Sequence, residues 1–128
     1  MPVNMQIEQD GHILFFEMIE PWTLGELDSV TTEMKQHLDS VEHTVYIVSD
    51  STNVRTVPKG ILRQRNSPAV THANSGGVFI ATTSTLARTF TNTIFKVAGY
   101  HTVHFYPTLE DARAAVAKKR AEEDKEIS

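Results

Sequence analysis

The sequence predicts an α/β domain: a single mixed, mostly parallel sheet of about five strands with about four helices, in the order β-β-α-β-α-β-α-β-α. Three observations predict it. Short runs rich in β-branched and aromatic residues, some with period-two alternation, recur along the chain, and between them apolar residues step by three and four. Strands alternating with helices argue for parallel pairing, because a parallel neighbour needs a long crossover. An Asp10-Gly11 pair between the first two runs argues for a hairpin, and so for one antiparallel strand at the start.

The elements follow in order. Val3, Met5 and Ile7 alternate with polar residues over 3–9, and HILFFEMI (12–19) supplies the second arm of the hairpin. Pro21 ends that arm, since proline cannot donate to a ladder. Thr23, with Glu26 three residues on, forms a capping box in which hydroxyl and carboxylate satisfy free amides. Leu24, Leu27, Val30, Met34, Leu38 and Val41 then lay one stripe along a helix of about 24–41. TVYIVS (44–49) reads as a short buried strand. Pro58 suits the first turn of a helix over about 58–66, and 67–77 reads as a loop whose two glycines lead into the strand VFIAT. Thr83 or Ser84 caps a helix ending near Gly99, with Leu86, Phe90, Ile94 and Val97 on its buried side. TVHFY (102–106) is the last strand, and Thr108 caps the last helix, whose narrow stripe is Leu109, Ala112 and Val116. From Lys118 the chain turns polar and is expected to fray. Residues 1–118 are therefore read as one domain and 119–128 as a polar helix end or tail.

Composition narrows the function classes. At 128 residues the chain can fold on its own apolar core, and with no cysteine it has no disulfide, thiolate metal site or cysteine nucleophile. No apolar run approaches the roughly 18 residues that span a bilayer. The start MPVNMQIEQDGH lacks the basic-then-apolar order of a secretory signal, so a cytoplasmic protein is expected. The net charge of −4 is unevenly laid out. Residues 1–53 hold ten acids against Lys35 alone, whereas 54–107 hold six bases (Arg55, Lys59, Arg63, Arg65, Arg88 and Lys96) and no acid.

Three stretches resemble a known family: WTLGELDSV at the first helix start, HTVYIVSDSTNV, and GGVFIATTSTLARTFTNTIFKVAGYHTVHFYPTLEDARAAV. Over roughly residues 5–118 the chain resembles the SpoIIAA-like fold, that is the STAS family of anti-sigma-factor antagonists and its SEC14-like relatives. The resemblance implies a non-catalytic regulatory module that docks against a protein partner, with a homodimer as the expected assembly. Its SEC14-like side implies the alternative of a small-molecule or lipid carrier. Members of the family place Asp-Ser-Ser/Thr-Gly at the start of the second helix, with a hydroxyl that a kinase phosphorylates. This chain has Val57-Pro58-Lys59-Gly60 there, so the phosphorylation switch does not carry over.

Two candidate surfaces emerge. Arg55, Lys59 and Arg63 step by four, with Arg65 close by. They form either an anion site for an acidic or phosphorylated partner or a solvated face that balances the acidic first half. Thr83 and Ser84 open a helix at the carboxyl edge of the sheet, where open parallel sheets bind ligands; Asp50 and Tyr106 should reach the same edge. The bland alternative there is helix capping. The second surface is one sheet face, on which Tyr46, Phe79, His104 and Tyr106 share a parity, with Trp22 beside it. If all helices lie on the other side, that face is an open interface; if helices cover both sides, these residues are core.

Catalysis is not expected. Ser49, Asp50 and a histidine could be drawn as a hydrolase triad, but there is no G-x-S-x-G turn. The six histidines show no HExxH spacing and read as structural or surface groups, so neither a metal nor a cofactor is expected. Nucleic acid is not an expected partner either: no aromatic residues interleave with the cations, and the chain is acidic overall.

Overall fold

The computed structural model describes residues 3–19, 23–53, 72–83 and 103–127. The helices expected over 58–66 and 84–99 lie outside the described residues, as do the basic positions Arg55, Lys59, Arg63 and Arg65 and the candidates Trp22 and Ser84. Five strands, β1 (Val3–Glu8), β2 (Ile13–Met18), β3 (Val45–Asp50), β4 (Ser75–Ala81) and β5 (Val103–Tyr106), form one mixed sheet. Its spatial order is β1-β2-β3-β4-β5. β1 is antiparallel to β2, and every later pairing is parallel. Two helices, α1 (Leu24–Ser40) and α2 (Leu109–Ile127), complete the described fold. No helix among the described residues is long and apolar enough to cross a membrane.

The connection between β1 and β2 covers residues 9–12, and Gln9 at φ 50° joins Asp10 and Gly11 in the left-handed region. Asp10 at φ 57°, ψ 34° and Gly11 at φ 87° occupy the left-handed positions of a type I′ turn, which the His12 amide closes on the Gln9 carbonyl at 3.1 Å. The start of α1 departs from the expected capping box. The Thr23 hydroxyl accepts from the Glu26 amide at 3.2 Å, but the Glu26 carboxylate accepts from that same hydroxyl at 3.1 Å instead of reaching the backbone. One orphan amide of the helix start is satisfied rather than two.

The two faces of the sheet carry separate cores. On one, Leu27, Val30, Met34 and Leu38 of α1 pack on Leu14, Phe16, Met18, Val45, Ile47 and Val78. The steps of three and four read from the sequence are therefore the buried stripe, and full burial of each such side chain stabilises by roughly 1.5–3 kcal/mol. On the other face, Ala112 and Val116 of α2 pack on Ile13, Tyr46, Val48, Phe79 and Ala81.

Two boundaries differ from the sequence reading. β4 starts at Ser75, so Gly76 and Gly77 belong to the strand and do not merely precede it. A side chain at Gly76 would put its Cβ 2.6 Å from Tyr46 Cε1 and 2.7 Å from Thr44 Cγ2, so the close approach of backbone to ring requires glycine there. And α2 continues past Lys118 to Ile127, with its polar second half in contact with the rest of the fold: the Arg120 guanidinium donates to Gln9, and the Tyr46 hydroxyl donates to Glu123.

Candidate functional site at the carboxyl edge of the sheet

Three parallel strands end in register. Asp50 stands beside Ala81, and Ala81 beside Tyr106. The residues that follow, Ser51 and Thr82, extend the ladder by one step: the Ser51 amide donates to Ala81 O at 2.8 Å and the Thr82 amide to Tyr106 O at 2.9 Å. Short polar residues therefore collect just beyond the strand ends, where each strand stops pairing and its side chains can turn toward one another.

Three polar residues at this edge, Ser49, Ser51 and Thr82, are buried. Ser49 and Ser51 are both inaccessible, and their hydroxyls lie 2.9 Å apart. The Ser51 hydroxyl also donates to Met18 Sδ at 3.5 Å, a weak acceptor. Asp50 Oδ1 accepts from both the Thr52 hydroxyl at 2.6 Å and the Thr52 amide at 3.2 Å, which closes the loop after β3. Thr82 is 1% exposed, and among the described residues its Oγ1 has no hydrogen-bond partner. A buried polar atom without a partner forfeits its hydration and regains nothing, so such atoms are few in folded proteins. Thr83, next along the chain, is exposed, and Ile19 at the end of β2 is 39% exposed at the same edge. Burial also pushes the Tyr106 phenol above its ordinary value.

The aromatic face is not an open surface, which corrects the reading that depended on all helices lying on one side. α2 covers it. Tyr46 and Phe79 are each 2% exposed and belong to the second core, while His104 and Tyr106 are half-buried around Phe79, with ring centroids 5.1 and 6.2 Å away. Burial, with Lys119 nearby, holds His104 below its ordinary value. Arg113 anchors the helix. It donates to both Glu8 oxygens at 2.8 and 3.2 Å and lies over the Phe15 ring, 4.7 Å from its centroid.

The opposite, amino edge holds a constellation that reading the sequence as scattered histidines missed. His12 and His43 stack with ring centroids 3.9 Å apart, and His37 Nε2 donates to the Gly11 carbonyl at 2.8 Å. His72 accepts from the Asn74 amide at Nδ1, so its Nε2 carries the proton and donates to Asp39 at 2.8 Å. His12, His43 and His72 lie just before β2, β3 and β4, and His37 lies in the last turn of α1. Loops that precede parallel strands converge on one edge, and that was the signal available. Among the described residues no group of three or more histidine, aspartate or glutamate side chains could hold a metal ion.

No protein-family model, curated protein or solved structure matches the chain.

Proposed function

We propose that the chain is a non-catalytic interaction module, of the SpoIIAA-like kind without its phosphorylation switch. In this reading an acidic or phosphorylated protein partner docks at the carboxyl edge of β3, β4 and β5. The observation that carries it is the Thr82 hydroxyl, a buried donor without a partner among the described residues, set at aligned strand ends. A carboxylate or phosphate oxygen of a partner supplies the acceptor that this hydroxyl lacks. Asp50 turns one oxygen onto Thr52, and the cations from Arg55 to Arg65 follow it in the chain. The burial of Thr82 also favours a second reading, a carrier for a small molecule or lipid, because a ligand held within the fold would meet a side chain 1% exposed.

The test is an amide-shift titration with inorganic phosphate, with an acidic phosphopeptide and with a neutral fatty acid. Shifts concentrated at Ser51, Thr82 and Thr83 with the first two probes support docking of an anionic partner. Response to the fatty acid alone, with retained cargo seen by native mass spectrometry, supports the carrier. No response at those amides to any probe overturns both readings. Thr82→Val adds a paired readout: removing an unpaired buried hydroxyl at constant volume stabilises the free protein by about 1 kcal/mol and weakens binding. A hydroxyl that is merely structural would instead lose stability.

A further inference from the structure

We infer that the outer edge of β1 pairs with β1 of a second copy, antiparallel about Met5, so that two sheets join into one of ten strands. This surface lies at the opposite margin of the sheet from β5 and does not rest on the proposed function. The backbone sets which groups are offered. The His12 carbonyl accepts from the Tyr46 amide at 2.9 Å, so His12 and every second residue after it direct their backbone groups toward β3. Ile13, Phe15 and Glu17 then face β1, where their partners are Glu8, Gln6 and Asn4. Val3, Met5 and Ile7 are left with N–H and C=O pointing away from the sheet. A row of this kind is a template for another strand unless something blunts it.

Nothing in β1 does. The segment VNMQIE has no proline and no lysine, and it pairs with β2 without a bulge. Ile7 is 55% exposed, the most exposed large apolar side chain among the described residues. With Met5 opposite Met5 of the second copy, Val3 falls opposite Ile7 and Asn4 opposite Gln6, each pair twice by symmetry. All the outward backbone groups are then used in hydrogen-bonded pairs. Ile7 gains an apolar neighbour, and the exposed Asn4 and Gln6 meet as amides, each of which both donates and accepts. Glu8, the strand's only charge, lies outside this register and is neutralised by Arg113 at 2.8 Å. A strand complementary to itself in this way selects its own copy as partner.

The absence of cysteine makes the register testable with the full chain. Sedimentation of the wild type should give twice the chain mass, and Ile7→Lys should weaken association by about tenfold or more with an unchanged circular dichroism spectrum. Met5→Cys should oxidise to a covalent dimer, because hydrogen-bonded antiparallel partners lie about 5.5 Å apart at Cα, within disulfide reach. Ile7→Cys should not, its counterpart being about 14 Å away. A wild type that stays at single-chain mass, an Ile7→Lys variant that still associates, or equal cross-linking at both positions overturns the pairing.

Discussion

Gly76 shows how one atom constrains this fold. Its missing Cβ leaves room for the Tyr46 ring, which lies in the core beneath α2 and whose hydroxyl reaches Glu123. Gly76→Ala should therefore destabilise by about 1–3 kcal/mol, as overpacking does, and chemical denaturation would measure it. Relief by the second substitution Tyr46→Phe would not be expected, because the clash is with the ring and not the hydroxyl. At this scale the sequence was legible wherever chemistry is local. Thr23 reads as a cap from its spacing to Glu26, and Asp10-Gly11 reads as a turn from its composition. It was not legible where chemistry joins distant residues. The pair Glu8 and Arg113 is separated by 105 positions, and nothing in either neighbourhood announces the other.

The two helices make unlike bargains with the sheet. α1 commits a stripe of large side chains, Leu27, Val30, Met34 and Leu38, to its face. Among its described side chains α2 commits only Ala112 and Val116 fully, with Leu109 and Ala115 partly buried, and adds polar ties at Arg113, Arg120 and Glu123. The partly exposed ion pair of Arg113 with Glu8 contributes about 1 kcal/mol or less, and the other two ties are hydrogen bonds worth about 1–3 kcal/mol each, whereas truncation of a buried leucine costs about 2–5 kcal/mol. Amide hydrogen exchange should accordingly release α2 before α1, with α2 opening below the free energy of global unfolding. Equal protection of both helices would contradict that order. Val116→Ala should widen the gap. The narrow apolar stripe of α2 was readable from the sequence, but the face it would cover was not: periodicity marks which side of a helix is buried and is silent about which side of a sheet receives it.

Across the whole molecule, acid should be the destabilising direction. Burial, the stacked His43 ring and Arg120 hold His12 below the ordinary value of 6.5, against the opposing pull of Asp10 and the Thr44 backbone, and burial with Lys119 does the same to His104. The folded state therefore binds protons less readily than the unfolded chain at both groups. Well above pH 6.5 neither state is protonated at these rings and their contribution to stability is full. As pH falls below that value the unfolded chain takes up protons first and stability declines, until the folded groups titrate at lower pH. Asp39, held low by its hydrogen bonds to Lys35 and His72, adds a loss in the same direction once pH falls below 3.8. Thermal unfolding followed from pH 8 down to about pH 2 tests this. A flat profile near pH 6.5, or one that His12→Gln leaves unchanged, would contradict the role given to His12.

The pairing of Glu8 with Arg113 has a consequence for synthesis. Each strand joins the one made just before it, so a ribosome can deliver the sheet in the order in which it assembles. Among the described elements made after the sheet, α2 reaches back to the first strand. Until α2 emerges, Tyr46 and Phe79 lack the cover that Ala112 and Val116 give them, and a nascent chain stalled before Leu109 should depend more on chaperones than one that includes α2.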